Sequence, residues 1–311
     1  MAKWLLRRKK RGAILMLHLE FAVAPTEVNS LADLALLDAR LGFDRGAVLS
    51  GFPKAWFREV SDQLRRTHQG DTLDRATERL RAFKDNKTVA FNRAFEGADW
   101  INSATMSHGN EPFHRVVEQS LNSIPVFVSS FVDLADDDFS YTSQFPRTAV
   151  SLAKAAKALL LGAEKVTIYD PYICFTRPGY RKTLLEIMKL CKKASVDFHI
   201  FSEEDGKPSW QVTRQALESF RDTMPDNINL YWYCADDEGS RFLHARGLFT
   251  GKGGLIYDGG FEEPNDRDQR QELMDILPMP KGLLQAKSMS YNTSFQYEDF
   301  KLVRDVWSSH P

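Results

Sequence analysis

A histidine and an arginine two positions apart carry the strongest chemical signal in the sequence. His244 and Arg246 lie in residues 242–249, where apolar and polar positions alternate. That alternation predicts a β-strand with both side chains on one face. A potential nucleophile or proton carrier beside a fixed positive charge suits phosphate chemistry. The sequence therefore predicts an anion site on this strand.

This strand is predicted to be one arm of a β-hairpin over residues 242–261. Residues 250–254 contain three glycines, which adopt positive φ readily and are typical of a turn. Asp258 lies on the returning strand, which Gly259-Gly260 ends, and we expect it to orient His244 by accepting its second ring proton. The simpler interpretation of Asp258 is an ion pair with Arg246.

Other polar residues are candidates to complete the site. The candidate ligand-binding residues are Asp170, Tyr172, Arg177, Glu262 and Asn265. Ligands of helix-covered sheets gather at the carboxyl ends of the strands, so we expect Asp170 to meet His244 and Arg246. The acidic segments 202–205 and 234–237 end two further predicted strands and are expected at the same edge. A ligand-free network of histidine, arginine and carboxylates is the alternative interpretation.

His244-x-Arg246, followed by Gly259-Gly260-Phe261 and Asn265, resembles the His-x-Lys signature of the phospholipase D superfamily. The resemblance implies a phospholipase D-like domain over about residues 144–311. It also implies that His244 is the nucleophile of an active member and that Arg246 binds the phosphoryl oxygens. Active enzymes of this superfamily need two such signatures, and the sequence contains one.

The variant pattern is closer to the phospholipase D-like C-terminal domain of MIT-domain proteins. That domain pairs an Asp-Pro-Tyr strand with a His-x-Arg strand, and Asp170-Pro171-Tyr172 matches the first of these. Arg246 replaces the signature lysine, and Gly251 stands where the signature has an acidic residue. These features favour a domain that binds a phosphate-bearing ligand or a protein partner without catalysis.

Two functions from different classes follow from this resemblance. The first is a binding protein whose ligand carries phosphate, with nucleic acid among the candidates and bacterial defence as a role implied by analogy. The alternative is a metal-independent phosphodiesterase or nuclease in which His244 is the nucleophile and a dimer partner supplies the second site. Neither function calls for a metal or a cofactor.

Length and composition bound these functions only loosely. The chain has 311 residues, 43% of them apolar and 27% charged, with a formal net charge of −1. This length suits one large domain or two ordinary ones. The near-neutral charge means that binding to nucleic acid or a membrane surface requires a local patch. Cys174, Cys191 and Cys234 have no zinc-site or disulfide spacing, which favours a cytoplasmic location.

The elements that must position the site alternate regularly in the second half of the chain. Helices are predicted at 148–162, 180–193 and 209–224, with strands at 165–170, 196–201 and 228–233. This order predicts an α/β domain over residues 144–311. Residues 1–140 are predicted to form a mixed α+β domain of unknown role, which is a candidate surface for a protein partner, and residues 133–143 a linker. The predicted elements of this half are helices at 26–41, 53–66, 71–84, 93–104 and 116–121 and strands at 88–91 and 126–131.

The start of the chain allows three interpretations. A basic run at residues 7–11 precedes an apolar run at 13–24, as in a signal peptide. His18 and Glu20 interrupt the apolar run, which is also shorter than the roughly 20 residues of a membrane span. We therefore favour a first core strand with a basic lead-in. A basic arm that contacts phosphates is the third interpretation.

Overall fold

The computed structural model describes residues 16–119, 124–292 and 300–310. Within them the chain is mixed α/β, with one parallel sheet and one mixed sheet. The strands are β1 Leu19–Val23, β2 Ala47–Ser50, β3 Thr88–Val89, β4 Arg115–Val117, β5 Phe127–Val128, β6 Gln144–Pro146, β7 Lys165–Tyr169, β8 Val196–Glu203, β9 Ile228–Asp236, β10 Gly247–Phe249, β11 Gly254–Tyr257, β12 Leu273–Pro278, β13 Lys301–Leu302 and β14 Trp307–Ser308.

The helices lie mostly between these strands. They are α1 Leu31–Arg40, α2 Trp56–Thr67, α3 Gly70–Lys87, α4 Trp100–Asn110, α5 Ala149–Ala155, α6 Lys157–Leu160, α7 Pro178–Leu190, α8 Trp210–Arg221, α9 Arg267–Gln271 and α10 Lys281–Ser290. None of the helices in the described part of the chain is long and apolar enough to cross a bilayer.

The first sheet has the order β3-β2-β1-β4-β5, and every pairing in it is parallel. The predicted α+β class of the N-terminal half is therefore wrong, because parallel strands joined by helices make an α/β unit. Phe21 and Val23 of β1 belong to the core that α1, α2 and α3 build. Ala22, on the opposite face of β1, packs with Ala104 of α4.

Capping and apolar spacing explain the helices that the sequence predicts well. Ser30 accepts a hydrogen bond from the backbone N–H of Asp33 and so caps α1. Trp56, Val60 and Leu64 are spaced by four residues, and all three are buried along one face of α2.

Two predicted helices of the N-terminal half are wrong in position or type. Residues 115–117 form β4, where Val116 and Val117 are fully buried, so the segment predicted as a helix at 116–121 begins as a strand, and residues 118–119 are not helical either. The helix predicted at 93–104 begins instead at Trp100, because Asp99 caps it by accepting from the N–H of Asn102.

The second sheet confirms the predicted α/β character of the C-terminal half. Its order is β13-β9-β8-β7-β10-β11-β12-β6, with β14 also paired to β9. Strands β7, β8 and β9 are parallel, whereas β10 runs antiparallel to β7 and to β11. The hairpin thus lies inside the sheet, as predicted.

The two halves meet in one of the hydrophobic clusters. Leu17, Phe43 and Val48 of the first half are buried in one cluster with the sheet residues of the second half. Gly253, at the hairpin turn, lies so close to Phe43 that an added Cβ would be 2.5 Å from the Phe43 Cβ. The predicted linker 133–143 includes a short 3-10 turn at Asp136–Phe139. β1 confirms the predicted first core strand from residue 19 onward, and the basic run at 7–11 lies outside the described residues.

Candidate functional site

The hairpin brings Arg246 beside Asp170. Strand β10 begins at Gly247, which pairs with Tyr169 in antiparallel register. Arg246, which precedes β10, therefore lies next to Asp170, which follows β7. Arg246 Nε and the Asp170 carboxylate oxygen Oδ1 are 4.0 Å apart. The sequence prediction that Asp170 and Arg246 meet at the carboxyl end of β7 is confirmed.

The residues before β10 are not the predicted strand. Phe242–His244 form a single 3-10 turn, so the prediction that His244 and Arg246 share one face of a strand is wrong. The cause is Asp237, whose carboxylate accepts hydrogen bonds from the backbone N–H groups of Gly239 and Leu243. Those bonds fold residues 237–243 into a compact loop and leave them unavailable for a strand ladder.

Arg246 is held on three sides. Its Nε faces Asp170, its Nη1 donates a 2.5 Å hydrogen bond to the Asp258 carbonyl, and its Cζ lies 5.0 Å from the centre of the Tyr172 ring. Among the described residues, Nε is buried without a hydrogen-bond acceptor. The side chain as a whole is 28% exposed. The guanidinium is therefore fixed in orientation while part of its donor set faces outward.

Asp170 is a buried carboxylate whose two oxygens accept hydrogen bonds from backbone N–H groups. Oδ1 accepts the N–H of Tyr172 at 2.9 Å, and Oδ2 accepts the N–H of Phe261 at 3.2 Å. Burial raises the pKa of Asp170, while these two N–H groups and the cations Arg246 and Lys207 oppose the rise. Gly260 makes this approach possible, because it has φ of 73° and an added Cβ would lie 2.6 Å from Oδ2.

His244 lies at the same edge with its side chain exposed. Its electrostatic neighbour is Glu203, the last residue of β8, as expected from the acidic segment 202–205. Burial and the nearby Asp237 raise the pKa of Glu203, and His244 opposes the rise. Asp258 is also exposed, and no hydrogen bond within the described residues joins its carboxylate to His244. Asp258 instead holds Arg246 through its carbonyl oxygen.

The remaining predicted residues lie on the rim. Arg177 Nη2 and the Glu262 carboxylate are 2.7 Å apart, and the Arg177 guanidinium lies 5.5 Å from the centre of the Tyr180 ring. Burial raises the pKa of Glu262, and Arg177 opposes that rise. Asn265 is exposed just after the hairpin. Arg177 forms a close ion pair with Glu262, whereas Arg246 and Asp170 are 4.0 Å apart, so Arg246 is the better anion contact.

Sequence reasoning missed two residues of this cluster. Lys207 and Tyr180 both interact electrostatically with Asp170. Burial raises the pKa of Tyr180, and the carboxylates of Asp170 and Glu262 raise it further, so its hydroxyl stays protonated. Lys207 follows the end of β8 by four positions, which is the one sequence signal that would have marked it. Helix α7 brings Tyr180 to the cluster, and periodicity within that helix marks it only as a core residue.

Chemically, the cluster suits anion recognition better than metal binding. The part of the chain that the structure describes contains no group of three or more histidine, cysteine or carboxylate side chains placed to hold a metal ion. A fixed guanidinium at the end of a strand, with an exposed imidazole close by, offers donors to an anion.

Comparison of the chain with models of known protein families and with curated proteins gave no match. The phospholipase D-like interpretation rests on His244, Arg246 and the Asp170-Pro171-Tyr172 segment.

Proposed function

We propose that residues 144–311 form a phospholipase D-like domain that binds a phosphate-bearing ligand at the carboxyl end of β7. The observation that carries this proposal is the fixed guanidinium of Arg246, which makes one hydrogen bond among the described residues, to the Asp258 carbonyl. The planar fork of arginine matches two oxygens of a phosphate group. Nucleic acids and phosphorylated proteins both present such oxygens.

The hydrogen bonds of Asp170 support the view that the Arg246 guanidinium can bind a phosphate. Both carboxylate oxygens of Asp170 accept backbone N–H groups, so the carboxylate does not form a close two-bond pair with Arg246. The distance of 4.0 Å between Nε and Oδ1 is at the limit of an ion pair. Asp170 therefore balances the charge of Arg246 and fixes its position, and an incoming phosphate supplies the hydrogen-bond acceptors.

Replacing Arg246 is the direct test of this proposal. We expect Arg246→Ala to weaken binding of inorganic phosphate by about 10- to 100-fold in isothermal calorimetry, because a charge-assisted hydrogen bond contributes about 1.5–3 kcal/mol. Arg246→Lys keeps the charge beside Asp170 and loses the fork, so we expect an intermediate affinity. If Arg246→Ala does not fold, the phosphate affinity of Arg246→Lys provides the test instead.

A matched arginine controls for the change of net charge. Arg214 is exposed on α8 and pairs with Glu218 in the next turn, so Arg214→Ala should leave phosphate affinity unchanged. The proposal is wrong if the Arg246 variants bind phosphate as tightly as the parent chain does. Short single-stranded DNA, RNA and a phosphopeptide, titrated in parallel, identify the kind of macromolecule that carries the phosphate.

A phosphodiesterase is the second candidate function, because His244 is exposed within electrostatic reach of Glu203. In this alternative His244 attacks phosphorus, the P–O bond to the leaving group breaks, and water later hydrolyses the phosphohistidine. A second copy of the chain supplies the second histidine. Activity of this kind is expected to be independent of added metal.

His244→Ala separates this alternative from binding alone. Loss of a covalent nucleophile lowers kcat by several orders of magnitude, up to roughly a millionfold. We would assay DNA, RNA and a generic phosphodiester with and without chelator, with Glu262→Gln as a control that changes a nearby charge and keeps the imidazole. Activity that survives His244→Ala, or that needs a divalent metal, excludes the histidine mechanism. Absence of activity on every substrate leaves the binding function.

A further inference from the structure

The loop after β8 carries a lysine that faces the same edge as Arg246 and His244. Lys207 Nζ donates a 2.6 Å hydrogen bond to the Pro171 carbonyl. The backbone N–H of Glu203 donates to the same carbonyl oxygen at 3.2 Å. Pro171 directly follows the site carboxylate in sequence, so these bonds hold the ammonium beside the carboxyl end of β7.

Positive and negative groups alternate around this edge. Asp170 interacts electrostatically with both Arg246 and Lys207. Glu203 interacts with both Lys207 and His244. Lys207 therefore interacts electrostatically with two carboxylates, and each of them also interacts with one member of the histidine–arginine pair. No motif in the sequence assigns a role to this lysine.

Lys207 is also partly withdrawn from water. Burial lowers its pKa, and the nearby groups Cys174, Cys234, Asp170 and Glu203 oppose that change. A desolvated ammonium gains more from an incoming anion than a fully hydrated one, because the loss of water has already been compensated by the fold.

We propose that Lys207 is the second cation that contacts the phosphate, and that the ligand is a phosphomonoester held between Lys207 and Arg246. This inference rests on the phosphate-binding function proposed above. The fork of Arg246 takes two phosphate oxygens, and the ammonium of Lys207 takes a third. A monoester has three terminal oxygens, whereas a diester has two, so two cations, one in the loop after β8 and one just before β10, favour the monoester.

The lysine also gives binding a pH signature that arginine does not. A guanidinium keeps its proton at working pH, whereas a lysine in a partly buried position loses its proton more readily than in water. A bound phosphate favours the charged ammonium, so binding above neutral pH should take up a proton. Lys207→Arg should abolish that uptake and keep the charge.

Calorimetry with methyl phosphate tests the proposal on the full chain. We expect Lys207→Met to weaken binding about 10- to 100-fold, in line with the loss of one charge-assisted hydrogen bond. Lys207→Arg should stay within about threefold of the parent at neutral pH and lose the proton uptake at alkaline pH, measured by titration in buffers of different ionisation enthalpy. Lys189→Met is the matched control, since Lys189 is an exposed lysine of α7 that pairs with Glu186.

The outcomes of these titrations distinguish the role of Lys207 from the phosphate-binding function on which it rests. A parent chain that binds methyl phosphate while Lys207→Met binds it equally well overturns the role of Lys207 and keeps that of Arg246. A parent chain that binds dimethyl phosphate more tightly than methyl phosphate overturns the monoester assignment. A parent chain that binds neither overturns the phosphate-binding function and this inference with it. If Lys207→Met loses its circular dichroism signal, Lys207→Gln replaces it as the uncharged variant.

Discussion

Replacing Glu20 with glutamine is expected to lower the free energy of unfolding by about 3–5 kcal/mol, because it leaves a buried arginine without its counter-charge. Glu20 is the second residue of β1 and is 2% exposed. Arg93 Nε donates to its Oε1 at 2.7 Å, and Arg93 Nη2 donates to the other carboxylate oxygen. The hydroxyl of Ser50, on β2, donates to Oε1 at 2.6 Å.

The guanidinium of Arg93 has little access to water that could replace the Glu20 carboxylate. Its side chain is 3% exposed, and its guanidinium lies 3.8 Å from the centre of the Phe113 ring. Nη1 also donates to the Ser107 hydroxyl at 3.2 Å, a neutral acceptor. In Glu20→Gln the amide keeps the shape of the side chain and loses its charge, so the buried guanidinium keeps its desolvation cost without a balancing anion.

Urea denaturation at neutral pH measures this effect. Glu78→Gln is the matched control, since Glu78 is exposed on α3 and its loss should change stability by less than about 0.5 kcal/mol. Removing both charges in Glu20→Leu/Arg93→Met should recover a large part of the loss, because no charge is then left unpaired. A Glu20→Gln variant within about 1 kcal/mol of the parent would mean that water reaches the pair or that the arginine finds another partner.

Glu20 also illustrates where sequence reasoning was limited. Its position inside an apolar run led us to favour a first core strand, and β1 is that strand from residue 19 onward. The pattern gave no sign that Glu20 is itself buried, because its partner Arg93 is 73 residues away in the chain. Tertiary pairing of this kind has no local signature.

The second half was more predictable because its signals are local. β7 and β8 are runs of buried residues separated by an amphipathic helix, and such runs identify parallel strands directly. The parallel order places Asp170 at the carboxyl end of β7, and the antiparallel pairing of β10 with β7 brings Arg246, just before β10, to the same edge. The position of His244 was not predictable, because the 3-10 turn at 242–244 depends on a hydrogen bond that the Leu243 N–H donates to the Asp237 carboxylate, which lies outside the hairpin.

The sequence pattern did not predict that the strands of the first sheet are parallel, and the reason is a different one. β3 and β5 each have two residues, too few for an alternating pattern. β4 has three residues, and its valines occur next to a segment with helical spacing. Short strands are identified by their neighbours in the sheet, and those neighbours are set by the packing of α1 to α4.

The free energy of unfolding is expected to fall as the pH falls from about 6.5 to about 4, and His18 should account for roughly 3 kcal/mol of that loss. Burial lowers the pKa of His18 from 6.5 to about 4, and the hydrogen bond to Phe43 opposes the change. Nε2 donates to the Phe43 carbonyl at 3.1 Å. Nδ1 is buried without a partner among the described residues, so a second ring proton would have no acceptor.

The sign follows from the two pKa values. Between about pH 6.5 and pH 4 the unfolded chain binds a proton at His18 that the folded chain excludes. The stabilisation from neutral His18 is therefore fully present above pH 6.5 and is lost as the pH falls toward about 4. A difference of about 2.5 pKa units at about 1.4 kcal/mol per unit gives the magnitude.

His18→Gln tests this assignment by removing the titrating group. Glutamine keeps a donor for the Phe43 carbonyl, so the variant is less stable at pH 7 but should lose less stability between pH 7 and pH 4 than the parent, by roughly 3 kcal/mol. Burial also lowers the pKa of His199 to about 4, so His199→Gln should flatten the profile as well and add to the first change. His68→Gln, at the exposed end of α2, is the control for loss of a histidine outside the core. A His18→Gln profile parallel to that of the parent would assign the acid sensitivity to other groups.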